Sequence, residues 1–179
     1  YQQAATLWHT LGDPGQEGNA LSNLGKVYAL QRQFPAALAA LTTAREQAQT
    51  TLDTELEAKV LEKLGDVYGL QQAFPQALEA FDSALTLWRA AADAERTTGV
   101  LLSLGALYLD AGQPEKAEAS LQAALRETAA LQNDTLRAGV FDQLGDLYLT
   151  TARPREALSA YQQALALWRT QADSLRIAN

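Results

Sequence analysis

The side chains able to do chemistry are few, and they are spaced too regularly for an active site. His9 is the only histidine and there is no cysteine. Thiolate nucleophiles, disulfides and thiolate metal ligands are therefore excluded. A zinc site takes several Cys, His or carboxylate ligands, and a single histidine beside Trp8, on a face that helical spacing makes exposed, is a poor start for one. No Gly-x-Ser-x-Gly elbow, phosphate-cradling glycine loop or Walker-type lysine is present. The expectation is no enzyme activity, no metal and no cofactor. The formal net charge of −7 argues against a phosphate-binding surface, so nucleic acid is not an expected partner. Apolar runs such as Val100-Leu101-Leu102 fall far short of the roughly 20 residues that span a bilayer. No membrane partner is expected. No targeting signal is visible either, and a cytoplasmic location is the default expectation.

The acidic residues serve a different purpose. Asp13, Asp53, Asp93, Asn133 and Asp173 recur every 40 residues. Each is a good helix N-cap, whose short side-chain oxygen accepts from an orphaned N–H of the first turn. Pro14 follows at the first helical position, and Glu17, Glu55, Glu57 and Glu95 suit the positive end of the helix dipole. Helices are thus expected to start near residues 14, 54, 94 and 134, with a fifth near 174. Each carries one apolar stripe, such as Val60, Leu61, Leu64, Val67 and Tyr68. Within the stripes, Leu24-Gly25, Leu64-Gly65, Leu104-Gly105 and Leu144-Gly145 recur at the same period, each followed by a tyrosine. Pro35, Pro75, Pro114 and Pro154 then end one helix and open a second, antiparallel one. The second helices are expected to run to about 51, 91, 131 and 171. Glycine inside a helix costs about 1 kcal/mol against alanine. Its repetition at one phase is expected to let backbones approach, with alanines such as Ala77 and Ala84 opposite. A strict period of this kind means stacked units. The expected fold is all-α, a right-handed superhelix of antiparallel helix pairs. Residues 1–179 are expected to form one solenoid, with repeats near 14–51, 54–91, 94–131 and 134–171 and partial repeats at 1–11 and 174–179. Tyr1 to Trp8 matches Tyr161 to Trp168, so the chain is expected to be a piece of a longer protein.

This constellation resembles the tetratricopeptide repeat. The pattern is a large apolar residue, Leu-Gly, Tyr, then Ala, a large residue and Ala, here Leu61, Leu64-Gly65, Tyr68, Ala77, Phe81 and Ala84, with Pro75 at the turn. All four repeats fill it. The ordinary period is about 34 residues, and this one is 40. The extra length falls after the last alanine and holds Trp8, Trp88 and Trp168, which are expected to pack between successive repeats. Similar forms of this length occur in bacterial signalling ATPases, repeat-bearing proteases and polarity adaptors.

The resemblance implies a non-catalytic scaffold that binds a protein or peptide on its concave face, formed by the first helix of each pair. Carried over residue by residue, that face holds Asn19, Asn23 and Lys26; Lys59, Lys63 and Asp66; Leu102, Ala106 and Leu109; then Asp142 and Asp146. It opens polar and basic, turns apolar, and ends acidic. Asn23, Lys59 and Lys63 occupy phases that hold a peptide's terminal carboxylate in chaperone-binding relatives of the pattern. Against that stands an ordinary Glu55–Lys59 pair with Lys63 solvated. Leu102, Ala106 and Leu109, flanked by Gly99 and Gly139, offer an apolar anchor site or a surface buried by the fold itself. Two further expectations are end-to-end self-association through Tyr1, Ala5 and Trp8 at one end and Leu175 and Ile177 at the other, and service as the sensor arm of a multidomain signalling protein.

Overall fold

The structure is a computed structural model. It describes residues 1–131 and 133–177, and the side chains of all of these except 130 and 171–177. Among the described residues it is all-α, with nine helices and no strand. They are α1 (Gln2–Leu11), α2 (Pro14–Leu30), α3 (Phe34–Thr50), α4 (Thr54–Leu70), α5 (Phe74–Ala90), α6 (Ala94–Asp110), α7 (Pro114–Leu131), α8 (Asp134–Thr150) and α9 (Pro154–Ile177). No boundary is visible in the sequence, yet the contacts separate two compact units that divide between Ala91 and Ala92. In the first, α2 packs on α3, α4 on α5, and α2 also touches α4. In the second, α6 packs on α7, α8 on α9, and α6 touches α8.

The caps read from the sequence form. Asp13, Asp53, Asp93 and Asn133 accept from the N–H groups of Gln16, Leu56, Arg96 and Leu136 at 2.9–3.0 Å. Helix C-termini close by one repeated device. A residue at positive φ occurs at Gly12, Arg32, Leu52, Gln72, Ala92, Gly112 and Ala152. Where Arg32 turns left-handed, its N–H bonds the Ala29 carbonyl at 2.9 Å and the Gln33 N–H bonds the Tyr28 carbonyl at 2.9 Å. This satisfies carbonyls that the helix end would leave bare. The tyrosine after each Leu-Gly therefore helps close the turn through its backbone, as Tyr68, Tyr108 and Tyr148 also do.

The core is laid out by the stripes. Val60, Leu61, Leu64 and Val67 are buried beside Ala77, Phe81 and Ala84, and Val100, Leu101, Leu104 and Leu107 beside Ala117, Leu121 and Ala124. In α2 the stripe is looser, with Leu21, Leu24 and Val27 half-buried. The helix-centre glycines do face a neighbouring helix, but what they admit is the large side chain of the pattern rather than the alanines. A Cβ added at Gly65 would lie 2.6 Å from the Phe81 ring, one at Gly25 2.6 Å from Leu41, and one at Gly105 2.8 Å from Leu121. The tryptophans also bond within their own repeats. Trp88 is buried on α5 and donates its Nε1–H to Glu62 on α4, its partner helix within the same repeat. Trp168 does the same to Asp142 Oδ2 at 3.3 Å.

At the far end, α9 continues through Asp173 to Ile177, where a turn and a new helix start were expected. Ala92-Asp93 breaks the chain with a left-handed alanine, at a cost of about 1–2 kcal/mol. That cost is offset where a full helix packs behind the turn. The remainder of the expected partial repeat, residues 178 and 179, lies outside the described residues.

Candidate functional site

On α2 and α4 of the first unit Asn19, Lys59 and Lys63 bond neighbours outside the expected set. The Asn19 side chain donates to the Gly15 carbonyl of its own helix at 3.0 Å. Asn23 and Lys26 are exposed. Lys59 pairs with Glu55, one turn away on α4. Lys63, expected to be solvated, reaches Ser22 Oγ on α2 at 2.5 Å, and Ser22 is buried. The two lysines of the carboxylate clamp thus bond different partners, Glu55 and Ser22. Asp66 has an exposed side chain, yet its carboxyl is pushed up to about 6. The protein crowding it is the main cause and Glu62 one turn away adds to it, while Lys26 opposes both. Its access to water limits how much that crowding weighs on stability.

On α6 and α8 of the second unit three of the expected residues, Ala106, Leu109 and Asp146, share one cleft. Gly105, Ala106 and Leu109 of α6, Ala117 and Leu121 of α7, and Gln143, Asp146 and Leu147 of α8 line a cleft of about 200 Å³. Ala106 is exposed at its rim and Leu109 is half-buried. Leu102 is half-buried further toward the start of α6 and is not part of the lining. A Cβ placed on Gly99 or Gly139 would meet nothing within 4 Å, so both glycines face open space. Asp146 Oδ1 accepts from the Tyr161 hydroxyl at 2.6 Å. That bond to a carboxylate pushes the Tyr161 phenol up to about 12. Asp142 accepts from Trp168 as described. The donors Tyr161 and Trp168 escaped sequence reasoning. Their only signal is that each stands at a fixed separation from an acidic residue one helix earlier.

Elsewhere in the second unit, Arg153 lies 4.3 Å over the Tyr148 ring and bonds Glu118 Oε2 at 2.7 Å and Glu156 Oε1 at 3.2 Å. The Tyr148 hydroxyl donates to Glu118 at 2.9 Å. Arg153, then the hydroxyl of Tyr148, holds the Glu118 carboxyl below the ordinary glutamate range against some burial. This cluster ties α7, α8 and α9 together. The first unit has a second cleft of about 200 Å³, between α3 and α5 and lined by Arg45, Tyr68, Gln76 and Glu79 among others. His9 is exposed and bonds Glu17 through Nδ1 at 3.0 Å. Among the described residues no three His, Cys, Asp or Glu side chains group as metal ligands, and no helix is long and apolar enough to cross a membrane. Of the residues expected at the chain ends, Ala5 is buried and Trp8 half-buried against the rest of the first unit. Tyr1, Leu7 and Leu11 are the exposed ones on this side. The Leu175 and Ile177 side chains lie outside the described residues.

Solved structures share this fold. The chain aligns over 94% of its length with 69% of BtubC (BKLC) from P. vanneervenii, at 21% identity and a TM-score of 0.80. It aligns over 92% with 26% of a signal transduction ATPase with numerous domains from Pyrococcus horikoshii that has a tetratricopeptide repeat sensor, at 20% identity and a TM-score of 0.81. A set of nearly identical kinesin light chain repeats from Podospora anserina matches at 15% identity and a TM-score of 0.72, over 94% of this chain and 93% of that one. The chain therefore spans about a quarter of the signalling ATPase. No curated protein sequence matches it significantly. The sequence pattern of the tetratricopeptide repeat matches three overlapping stretches, residues 16–90, 56–130 and 96–170. With that pattern running from residue 16 to residue 170 over helix pairs of the matching architecture, the chain belongs to the tetratricopeptide repeat family.

Proposed function

We propose that the chain is a non-catalytic scaffold that seats part of a protein partner in the cleft between α6 and α8. Repeats of this family generally mediate protein–protein interaction. The observation that carries the assignment to this face is the convergence of Ala106, Leu109 and Asp146 on one cleft with an apolar floor and a few polar groups at its edge. That combination suits a peptide anchor. In the first unit Asn19, Lys59 and Lys63 are engaged in contacts of their own, which favours the second unit as the place for a partner. A photo-crosslinking residue at Ala106 should capture a partner in cells, whereas one at Ala119, exposed on α7, should not. Capture at Ala119 but not at Ala106 would remove the assignment.

The likeness to the sensor-bearing ATPase supports a second reading, in which these repeats are the sensor arm of a larger regulator. The check is the parent polypeptide: a nucleotide-binding domain on the same chain supports this reading, and a parent without one ends it.

A further inference from the structure

Building on the scaffold reading, we infer that the α6–α8 cleft selects a peptide segment with a cationic side chain close to an apolar one. The floor dictates the apolar part, since Ala117, Leu121 and Leu147 close the cleft from below. The rim dictates the charge. Asp146 lines the cleft, and Asp142 precedes it by one turn of α8, so the two carboxylates share a face. Each is fixed by a neutral donor from α9: Tyr161 Oη–H for Asp146, at 2.6 Å, and Trp168 Nε1–H for Asp142, at 3.3 Å. A neutral donor holds a carboxylate in place without cancelling its charge. Among the described residues neither carboxylate has a cationic partner. Arg137, the basic residue of α8, lies over the Phe141 ring at 5.8 Å. Across the cleft, α6 presents Ala106 and Leu109, neither of them charged.

In the first unit the same two phases carry Glu62, bonded by Trp88, and Asp66, but lysines stand among them. There Lys59 pairs with Glu55, Lys63 bonds Ser22, and Lys26 lies close enough to Asp66 to act on its carboxyl. Acid and base alternate on that face, whereas the second unit leaves two anchored negative charges beside an apolar floor. Complementarity then demands a lysine or arginine on the occupant and repels an acidic one.

The test uses pools of short peptides capped at both termini. Each pool has a fixed leucine and, one helical turn away, a fixed lysine, glutamine or glutamate. They are titrated into the full chain by fluorescence anisotropy. The lysine pool should bind about tenfold or more tightly than the glutamine pool, with the glutamate pool weakest and the differences shrinking as salt is raised. Asp142→Asn with Asp146→Asn should abolish the preference. Each asparagine still offers an oxygen to Trp168 or Tyr161, so the helical circular dichroism should not change. Equal or tighter binding of the glutamine or glutamate pool, still blocked by Ala106→Trp, would overturn the cationic preference and leave the scaffold reading standing. Lysine-pool binding that Ala106→Trp does not weaken would overturn both. No binding by the lysine pool would also overturn the inference, leaving the scaffold reading to the crosslinking test.

Discussion

Replacing Gly65 by alanine sets two effects of opposite sign against each other. On helix propensity alone the change should stabilise α4 by about 1 kcal/mol. The new Cβ, however, would lie 2.6, 2.7 and 2.8 Å from Cε1, Cδ1 and Cζ of Phe81. Comfortable carbon contacts lie at about 3.5–4.0 Å, so the ring edge must retreat by about 1 Å. Phe81 is 3% exposed and has no route to solvent. Overpacking of this kind typically costs about 1–3 kcal/mol, and three ring atoms inside the limit place Gly65→Ala in the upper half of that range. The net expectation is a loss of about 1–2 kcal/mol. Gly139→Ala makes the same chemical change on α8, where the added Cβ meets nothing within 4 Å. It should stabilise by up to about 1 kcal/mol. Urea unfolding followed by far-UV circular dichroism reads both. In thermal melts the expected shifts are about 2–4 °C per kcal/mol, down for Gly65→Ala and up for Gly139→Ala. In a Phe81→Ala background Gly65→Ala should turn stabilising, because the ring it strikes is gone. If Gly65→Ala is as stable as the parent, or if Phe81→Ala leaves its effect unchanged, the steric account of the repeated glycine is refuted.

Two further predictions concern the turns and the Arg153 cluster. Ala92 holds φ 55, so Ala92→Gly should relieve a left-handed penalty of about 1–2 kcal/mol, less roughly 0.4–1 kcal/mol for the freer unfolded chain, and raise the melting temperature slightly. Glu118 has a folded-state pKa depressed by Arg153 and Tyr148. Its stabilising contribution is therefore full above the ordinary glutamate range and is lost as pH falls below about 4.5. Glu118→Gln should flatten that acid limb of the stability–pH curve, and an unchanged limb would count against the cluster.

What could be read from the sequence is what depends on local chemistry. Asp13, Asp53, Asp93 and Asn133 announce helix starts because the cap bond spans three residues. Glu55 and Lys59 announce a pair because they are one turn apart on one helix. The reversals at Arg32, Leu52, Gln72 and Ala92 carry no such mark, since none of these side chains favours positive φ. Packing of the following helix imposes the turn. The continuous run of α9 through Asp173 is the complementary case, in which the expected helix start does not form. At the candidate site, Ala106 and Asp146 were legible because they share a phase on first helices, and Leu109 because it lies one turn from Ala106. Lys63 on Ser22 and Trp88 on Glu62 were not, because they join different helices at separations that helical periodicity does not reveal.

That last pairing constrains how a face of this kind can vary. At one first-helix phase the four repeats carry Ser22, Glu62, Leu102 and Asp142, and at the matching second-helix phase Ala48, Trp88, Thr128 and Trp168. A carboxylate stands at this phase only where an indole N–H faces it. Glu62 and Asp142 are both half-buried, and a half-buried carboxylate without a donor carries a desolvation cost that such a donor removes. Where the second helix offers only alanine or threonine, the first helix carries serine, bonded instead by Lys63, or leucine. The charge at this phase is thus conditional on a residue behind it. Changing that charge calls for a matched change on the second helix, as Glu62 with Trp88 and Asp142 with Trp168 illustrate.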